Sequence, residues 1–242
     1  MTALSSETTS GRPHLLTVSE IFGPTIQGEG PAVGQPAVFL RLAGCHVGCD
    51  WCDTRYSWDY ASPTDGGVRQ HGAAELAAML ANIGSTEHLL VVTGGEPLLQ
   101  QRALLNALAQ PALVGRRIHL ETSGTVVPLS GLLDLFDLAV VSPKLAHSRV
   151  PLERRINSEA LAAFGARDYS WFKFVVTGLN DFEEVASIVS EHNLSRVMVM
   201  AEGTTAGDVQ ERSRAIAGPA AERGWGVSPR WHLDLWGNDR GH

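Results

Sequence analysis

The chain has 242 residues, of which 44% are hydrophobic and 19% charged, and its formal net charge is −7. This length allows one large domain or two small ones, and the hydrophobic share is enough to build a core without disulfide or metal staples. The acidic balance excludes a general basic face that coats nucleic acid. No apolar run is long enough to predict a membrane span.

The three cysteines, Cys45, Cys49 and Cys52, all lie within eight residues. Their odd number excludes a closed disulfide framework. The first 13 residues are rich in Ser and Thr and lack an apolar core, so we predict no secretory signal. Together these features indicate a reducing, cytoplasmic setting, in which clustered cysteines more often bind metal or carry out redox chemistry.

Secondary-structure patterns begin after a predicted flexible tail at residues 1–16, and we expect residues 17–242 to form a single domain. Short apolar runs rich in β-formers predict six strands: Ala37–Ala43, His88–Thr93, Arg117–Glu121, Leu138–Ser142, Trp171–Thr177 and Arg196–Ala201. Apolar residues at helical spacing predict four longer helices: Ala73–Ile83, Pro97–Ala109, Asp181–Glu191 and Ala206–Arg223.

Strands that alternate with helices predict a parallel sheet with βαβ crossovers. Several of the strands lack polar alternation, as expected where helices cover the sheet. Six units are fewer than the eight of a closed barrel. We therefore predict an α/β fold, a partial, open βα barrel of about six parallel strands, with a doubly wound sheet as the alternative.

Polar and glycine residues follow the predicted strands at their carboxyl ends. The clusters are Gly44-Cys45, Thr93-Gly94-Gly95-Glu96, Glu121-Thr122-Ser123-Gly124, Ser142-Pro143-Lys144 and Thr177-Gly178. The carboxyl ends of strands line the ligand site in βα barrels and open α/β sheets. Several clusters in the same register therefore indicate an active site at this edge.

The cysteine motif reads C-x3-C-x2-C, a set of soft ligands that suits zinc or an iron–sulfur cluster. Structural zinc takes four protein ligands, and His46, the local candidate for the fourth, is awkwardly adjacent to Cys45. A four-iron cluster on three cysteines leaves one iron free to bind a small molecule. The spacing thus favours an iron–sulfur cluster, and a non-catalytic zinc module remains the alternative.

This motif, followed by Gly94-Gly95-Glu96-Pro97, resembles the radical S-adenosylmethionine superfamily. The resemblance implies a [4Fe-4S] cluster on the three cysteines, with S-adenosyl-L-methionine chelated to the free iron. The two glycines let backbone groups approach a ligand closely. We expect exposed carbonyls of this turn and the Glu96 carboxylate to receive the methionine ammonium group.

Further motifs resemble the 7-carboxy-7-deazaguanine synthase family, from about residue 18 to the C-terminus. They are Glu20–Gly30, Phe39–Gly44, Cys52-Asp53-Thr54, Glu121–Thr125, Ser142-Pro143-Lys144 and Leu235–Asn238. The resemblance implies a carbon–nitrogen lyase of the 7-deazapurine and queuosine pathway. Its substrate would be 6-carboxy-5,6,7,8-tetrahydropterin, a planar anionic small molecule.

Family resemblance assigns substrate contacts to Ile26, Gln27, Gly28 and Glu29, and to Thr93, Arg41 and His232. Arg41 ends a buried strand, where an unpaired charge is costly, and its guanidinium fork suits a carboxylate. A structural salt bridge is the alternative for Arg41, and a satisfied structural histidine is the alternative for His232. With the three cysteines, Arg41 forms the predicted catalytic set.

The resemblance also places cofactors. Thr54 is expected to help to hold Mg²⁺, which keeps several non-protein ligands. Contacts to S-adenosylmethionine are implied for Trp51, Cys52, Asp53, Gly95, Glu96, Ser142, Pro143 and Lys144. Two segments, Met198–Glu202 and Gly237–His242, depart from the family pattern, so the resemblance assigns them no contact.

The implied mechanism begins when the reduced cluster cleaves S-adenosylmethionine to a radical that takes hydrogen from C6 of the substrate. The ring then contracts and loses ammonia, and S-adenosylmethionine is regenerated. The resemblance further implies an external electron donor of the flavodoxin type and a homodimer. A different radical enzyme, such as a glycyl-radical activase that acts on a protein, is the remaining rival.

Overall fold

A computed structural model of the protein describes residues 15–59 and 67–241. The predicted N-terminal tail therefore lies, except for Leu15 and Leu16, outside the described residues. Leu16 already begins a strand. Among the described residues, no helix combines the length and apolar character needed to cross a bilayer.

The described residues contain nine strands in one sheet: β1 (Leu16–Ile26), β2 (Pro36–Leu42), β3 (Arg69–His71), β4 (Leu89–Gly94), β5 (Ile118–Thr122), β6 (Leu138–Val141), β7 (Ser170–Val176), β8 (Val197–Ala201) and β9 (Gly226–Ser228). Their order is β3-β1-β2-β4-β5-β6-β7-β8-β9. Strands β2 and β4 to β9 run parallel to one another, while β1 is antiparallel to both β2 and β3.

Helices α1 to α7 lie between the strands and α8 follows β9: α1 (Ala73–Ala81), α2 (Gln101–Leu108), α3 (Ser130–Leu133), α4 (Leu152–Arg155), α5 (Ser158–Gly165), α6 (Phe182–Glu191), α7 (Ala206–Glu222) and α8 (Trp231–Trp236). Short 3₁₀ turns occupy Gly30–Ala32, Arg55–Ser57, Pro97–Gln100, Pro111–Leu113, Ala146–Ser148 and Leu179–Asp181. Pro97 begins its turn because a missing N–H costs nothing at a first helical position.

Each parallel strand has two buried faces with different neighbours. Residues such as Leu40, Val92 and Leu120 join the main core, to which α1, α2, α5, α6 and α7 contribute. The alternate residues, among them Arg41 and Thr93, which are register partners, point into a cavity. Because side chains alternate with a period of two, one sheet packs on helices outside and lines a site inside.

The predicted architecture is confirmed. The six predicted strands correspond to β2 and β4 to β8, all parallel, and the sheet stays open between β3 and β9. Most helices pack on the face of the sheet that holds the main core, while α8 brings His232 to the cavity. Sequence patterns missed β1, β3 and β9, and the predicted helix Pro97–Ala109 is divided into a 3₁₀ turn and α2.

Candidate active site

A cavity of about 470 Å³ lies at the carboxyl ends of the parallel strands. Its walls come from the ends of β2, β4, β5, β6, β7 and β8, from the loop after β1, from the cysteine loop and from the C-terminal residues. Four of the five predicted strand-end clusters contribute to it. The fifth, Thr177-Gly178, does not, because Thr177 turns away and donates to the Asp181 carboxylate.

The three cysteines lie on one loop after β2, are free thiols and line the cavity. They pack together with the apolar side chains of Val47 and Val150. Burial raises the pKa of the Cys45 and Cys49 thiols, while Lys144 acts in the opposite direction on Cys49. A bound cation would favour the thiolates, which are the form that ligates metal.

Three cysteine thiols on one loop are a soft donor set of the kind that suits an iron–sulfur cluster. Within residues 15–59 and 67–241, no group of three His, Cys, Asp or Glu side chains is placed to hold a metal ion. His46, the local candidate for a fourth zinc ligand, does not line the cavity.

The glycine pair at the end of β4 packs directly on the cysteine loop. The Glu96 amide donates to the Gly44 carbonyl at 2.9 Å, and the Gly95 amide donates to Leu42 at 3.1 Å. A Cβ atom on Gly95 would stand 2.3 Å from the Gly44 carbonyl oxygen and 2.8 Å from Cys45 Cβ. The glycines therefore fix the position of the cysteine loop as well as leaving room for a ligand.

Glu96 differs from the prediction. Its carboxylate is fully buried and accepts hydrogen bonds from the Leu98 amide, the Thr122 hydroxyl, and the Ser123 amide and hydroxyl. It does not line the cavity, so it positions the turn instead of receiving an ammonium group. Pro143 is also buried behind the wall and does not reach the cavity.

The other residues assigned to S-adenosylmethionine line the cavity: Trp51, Cys52, Asp53, Gly95, Ser142 and Lys144. Lys144 Nζ lies 5.6 Å from the centre of the Trp51 ring and donates to the Ser142 hydroxyl at 3.0 Å. Trp51 in turn stacks on His147, with ring centres 5.5 Å apart. These contacts hold a cation and an aromatic ring beside the cysteines.

Across the cavity, Glu29 lies between two buried cations. Lys173 Nζ is 2.5 Å from one carboxylate oxygen, and Arg230 Nε is 3.1 Å from the other. Burial alone would raise the pKa of Glu29, but the two positive charges hold it far below its ordinary value. Arg230 also pairs with the Asp53 carboxylate. Glu29 is thus an ionised acceptor held rigidly at the cavity wall.

Gln27 extends this network. Its side-chain amide donates to Glu121 at 2.9 Å, and its oxygen accepts the Glu29 backbone amide at 3.1 Å. Gln27, Glu121, Thr93 and Ile26 all line the cavity. Carboxylate oxygens carry further lone pairs, so Glu29 and Glu121 remain able to accept hydrogen bonds from a ligand.

Arg41 forms the salt bridge that was the structural alternative for this residue, with its Nε 2.6 Å from Glu20. The side chain also lines the cavity, and its contact with a substrate stays a prediction. Tyr56 donates to the same Glu20 oxygen at 2.7 Å, and the guanidinium lies over the Phe22 ring. Within the described residues Glu20 is met by Nε, so the two terminal nitrogens of Arg41 can donate to an anion in the cavity.

Gly28 and His232 are in direct contact. A Cβ atom on Gly28 would stand 2.5 Å from His232 Nδ1, so a side chain at this position would displace the histidine. The Gly28 carbonyl accepts the Trp231 amide at 2.9 Å, which anchors α8 to the loop. Burial lowers the pKa of His232 and keeps its imidazole neutral.

Thr54 also lines the cavity, with its hydroxyl 3.7 Å from the Cys52 sulfur. It stands between the cysteine loop and the wall that holds Arg41 and Tyr56. The neighbouring Asp53 is already paired with Arg230. A magnesium ion here would take one protein hydroxyl and draw its other ligands from water or a ligand in the cavity.

Sequence reasoning missed several wall residues: Glu20, Tyr56, Glu121, Lys173, Arg230 and the C-terminal Asn238–Gly241. One signal was available, since Lys173 stands alone in the apolar run Trp171–Thr177, where an unpaired charge is costly. Glu20 and Glu121 fell inside motifs that carried the resemblance, but no side-chain role was assigned to them. For Arg230 the sequence offers no comparable signal.

The open βα barrel and the three-cysteine loop at its ligand edge define a protein of the radical S-adenosylmethionine fold class. No model of a protein family matches the chain. It is 38% identical to 7-carboxy-7-deazaguanine synthase of Pyrobaculum aerophilum, over 93% of this chain and 96% of the relative. It is 35% identical to the enzyme of that name from Halobacterium salinarum, over 91% and 90%.

A solved structure supports the same assignment. QueE from Escherichia coli superimposes with a TM-score of 0.67 at 25% identity, over 88% of this chain and 93% of that one. The chain therefore belongs to the 7-carboxy-7-deazaguanine synthase family. The resemblance stated from the motifs is confirmed.

Proposed function

We propose that the chain converts 6-carboxy-5,6,7,8-tetrahydropterin to 7-carboxy-7-deazaguanine with loss of ammonia, as a carbon–nitrogen lyase of 7-deazapurine and queuosine biosynthesis. The observation that carries this proposal is that one cavity holds a negatively charged acceptor and a positively charged donor on different walls. The ionised Glu29 lines one wall of this cavity and the guanidinium group of Arg41 lines another, and the three cysteines line the same cavity. A pterin offers N–H donors to the first and a carboxylate to the second.

The network around Glu29 supplies orientation. Lys173 and Arg230 keep Glu29 ionised and fix its oxygens, so its free lone pairs accept from the amino-pyrimidine edge of the substrate. Gln27 and Glu121 continue this row of polar groups. Such contacts hold the substrate in an orientation that can react. In a reaction whose chemistry comes from a cofactor, this positioning is much of what the protein contributes.

Arg41 holds the opposite end of the substrate. Its salt bridge to Glu20 fixes the guanidinium plane, and Tyr56, whose pKa burial raises to about 12, stays protonated and keeps donating to Glu20. The terminal nitrogens then meet the substrate carboxylate in a two-pronged contact. Thr93, the register partner of Arg41 on β4, stands beside it on the same face.

The cysteine loop would hold a [4Fe-4S] cluster through Cys45, Cys49 and Cys52, with S-adenosylmethionine beside Trp51, Ser142 and Lys144. When bound, the two supply one-electron radical chemistry. The loop packs on the apolar side chains of Val47 and Val150, which support the thiols from behind. Thr54 would hold Mg²⁺, with the remaining ligands drawn from water and substrate.

Family resemblance alone supports three further proposals. An external one-electron donor of the flavodoxin type reduces the cluster, the protein acts in the cytoplasm, and it forms a homodimer. Sedimentation of the loaded protein at several concentrations tests the last proposal. A single species at twice the chain mass of 26.0 kDa is expected, and a species of one chain mass throughout would refute it.

An anaerobic turnover assay tests the proposed reaction. Loaded protein is incubated with S-adenosylmethionine, dithionite, Mg²⁺ and the carboxylated tetrahydropterin, and each component is omitted in turn. We expect product only when S-adenosylmethionine, dithionite and substrate are all present, with less product when Mg²⁺ is omitted. Cleavage of S-adenosylmethionine without conversion of the pterin would point to a radical enzyme with another substrate, such as a glycyl-radical activase. Zinc in place of iron would point to a non-catalytic zinc module.

A further inference from the structure

The C-terminal residues after α8 return to the cavity instead of leading away from it. Gly237 follows α8 with a φ of +66°, a left-handed conformation that favours glycine and turns the chain. Asn238, Asp239, Arg240 and Gly241 then line the cavity beside the end of β2 and the turn that carries Tyr56. Family resemblance assigned this segment no contact.

Arg240 is held in this wall by two contacts. Its guanidinium carbon lies 3.8 Å from the centre of the Tyr56 ring, and one terminal nitrogen lies 3.5 Å from the second oxygen of Glu20. Arg41 occupies the first oxygen of the same carboxylate. Two guanidinium groups therefore flank the Glu20 carboxylate at the cavity wall, with the neutral Tyr56 beside them.

Both guanidinium groups can bind a second anion in the cavity. Asp239 also lines the cavity, yet within the described residues it forms no ion pair with Arg41 or Arg240. Arg240 has a half-exposed side chain, so it is not a core salt bridge that stability alone explains. A ligand carboxylate in the cavity would meet Arg240 beside the terminal nitrogens of Arg41.

We propose that Arg240 provides a second guanidinium for the carboxylate of the substrate, with Glu20 and Tyr56 orienting it, and that residues 238–241 close this side of the cavity. The inference rests on the proposed function and deepens it, because it assigns a specificity-determining residue to the carboxylate end. Two guanidinium groups that bind one carboxylate favour carboxylated pterins, because analogues without the carboxylate lose both charge-assisted contacts.

Equilibrium binding tests the proposal without turnover. Cluster-loaded protein with S-adenosylmethionine and Mg²⁺, but without reductant, is titrated anaerobically with 6-carboxytetrahydropterin and with tetrahydropterin. In Arg240→Ala we expect the Kd for the carboxylated ligand to rise about tenfold or more, since a charge-assisted hydrogen bond is lost. The Kd for the ligand without the carboxylate should stay within about twofold, and Arg240→Lys should recover part of the loss.

Arg223→Ala is the matched control, because Arg223 also lies over aromatic rings and pairs with an exposed glutamate, Glu183, away from the cavity. It should bind both ligands as the wild type does. An unchanged Kd in Arg240→Ala, or an equal loss for both ligands, overturns the proposal while the proposed function stands. If the wild type binds neither ligand, the proposed function itself fails.

Discussion

At the residue scale, the cavity depends on charges that are buried in pairs. Glu29 has Lys173 on one oxygen and Arg230 on the other, and Arg230 continues to Asp53. Removing one partner of such a group leaves a largely buried charge without its counter-ion. We therefore expect a substitution of a single member of this network to lower the free energy of unfolding markedly.

Lys173→Met should lower the free energy of unfolding by about 3 kcal/mol at pH 7, because Glu29 loses its closest cation. Urea denaturation of wild type and variant, prepared identically, measures the change. Adding Glu29→Gln to Lys173→Met should recover part of the loss, since the stranded carboxylate is then removed. The control is Arg167→Met, which breaks the more exposed pair with Asp134 and should cost less than about 1 kcal/mol.

His119 gives a second residue-scale prediction. It is buried in β5, Nδ1 has no hydrogen-bond partner among the described residues, and burial lowers its pKa from 6.5 to about 4. The nearby charges are Asp137, which opposes this shift, and Arg117, which adds to it. Below pH 6.5 His119 binds a proton in the unfolded chain but not in the folded chain, so the free energy of unfolding falls as the pH drops toward 4.

His119→Leu should remove this loss. The wild type should lose on the order of 2 to 3 kcal/mol between pH 6.5 and 4 through this group, and the variant should show a correspondingly flatter profile. Urea titrations at half-unit pH steps provide the comparison. Parallel profiles for the two proteins would show that His119 does not titrate in this range.

At the element scale, the parallel strands were the predictable part of the fold. Apolar runs bounded by polar and glycine residues marked β2 and β4 to β8, because both faces of these strands are buried. Strand β1 was not predicted, because register shifts interrupt it and its partly exposed residues form no apolar run. Strands β3 and β9 have three residues each, too few for any periodicity.

The contact between β4 and the cysteine loop yields an element-scale prediction. Gly95→Ala would force the new methyl group against the Gly44 carbonyl and Cys45, so the loop must shift. We expect iron content after anaerobic reconstitution to fall to less than half of the wild-type value. Gly207→Ala, where the added methyl meets nothing within 4 Å, is the control and should load fully. Full loading of Gly95→Ala would contradict the assigned role of this contact.

At the scale of the whole molecule, the site is assembled from segments far apart in the chain. The Lys173–Glu29 pair spans 144 residues and the Arg230–Glu29 pair spans 201. Local pattern and spacing identified the cysteine loop and the glycine pair, and family resemblance added the loop of Glu29, because each is a contiguous motif. They could not identify which cation would meet Glu29 or that the C-terminus would return to Glu20, since those contacts exist only after the sheet has formed.

The acidic net charge of −7 gives these local cations their importance. An anionic substrate is repelled by the protein as a whole and must be captured by groups at the cavity, which Arg41, Arg240 and bound Mg²⁺ would supply. Capture is thus a property of the assembled site and not of the composition.

The central claim is that the three-cysteine loop and the cavity above it carry out ring contraction of a carboxylated pterin. Its most direct test is mass-spectrometric detection of 7-carboxy-7-deazaguanine formed by anaerobically reconstituted wild type, alongside iron and sulfide analysis and a Cys49→Ala variant. The account predicts about four irons per wild-type chain with product formation, and loss of both in the variant. A fully loaded wild type that forms no product, or a Cys49→Ala variant that forms it at the wild-type rate, would contradict it.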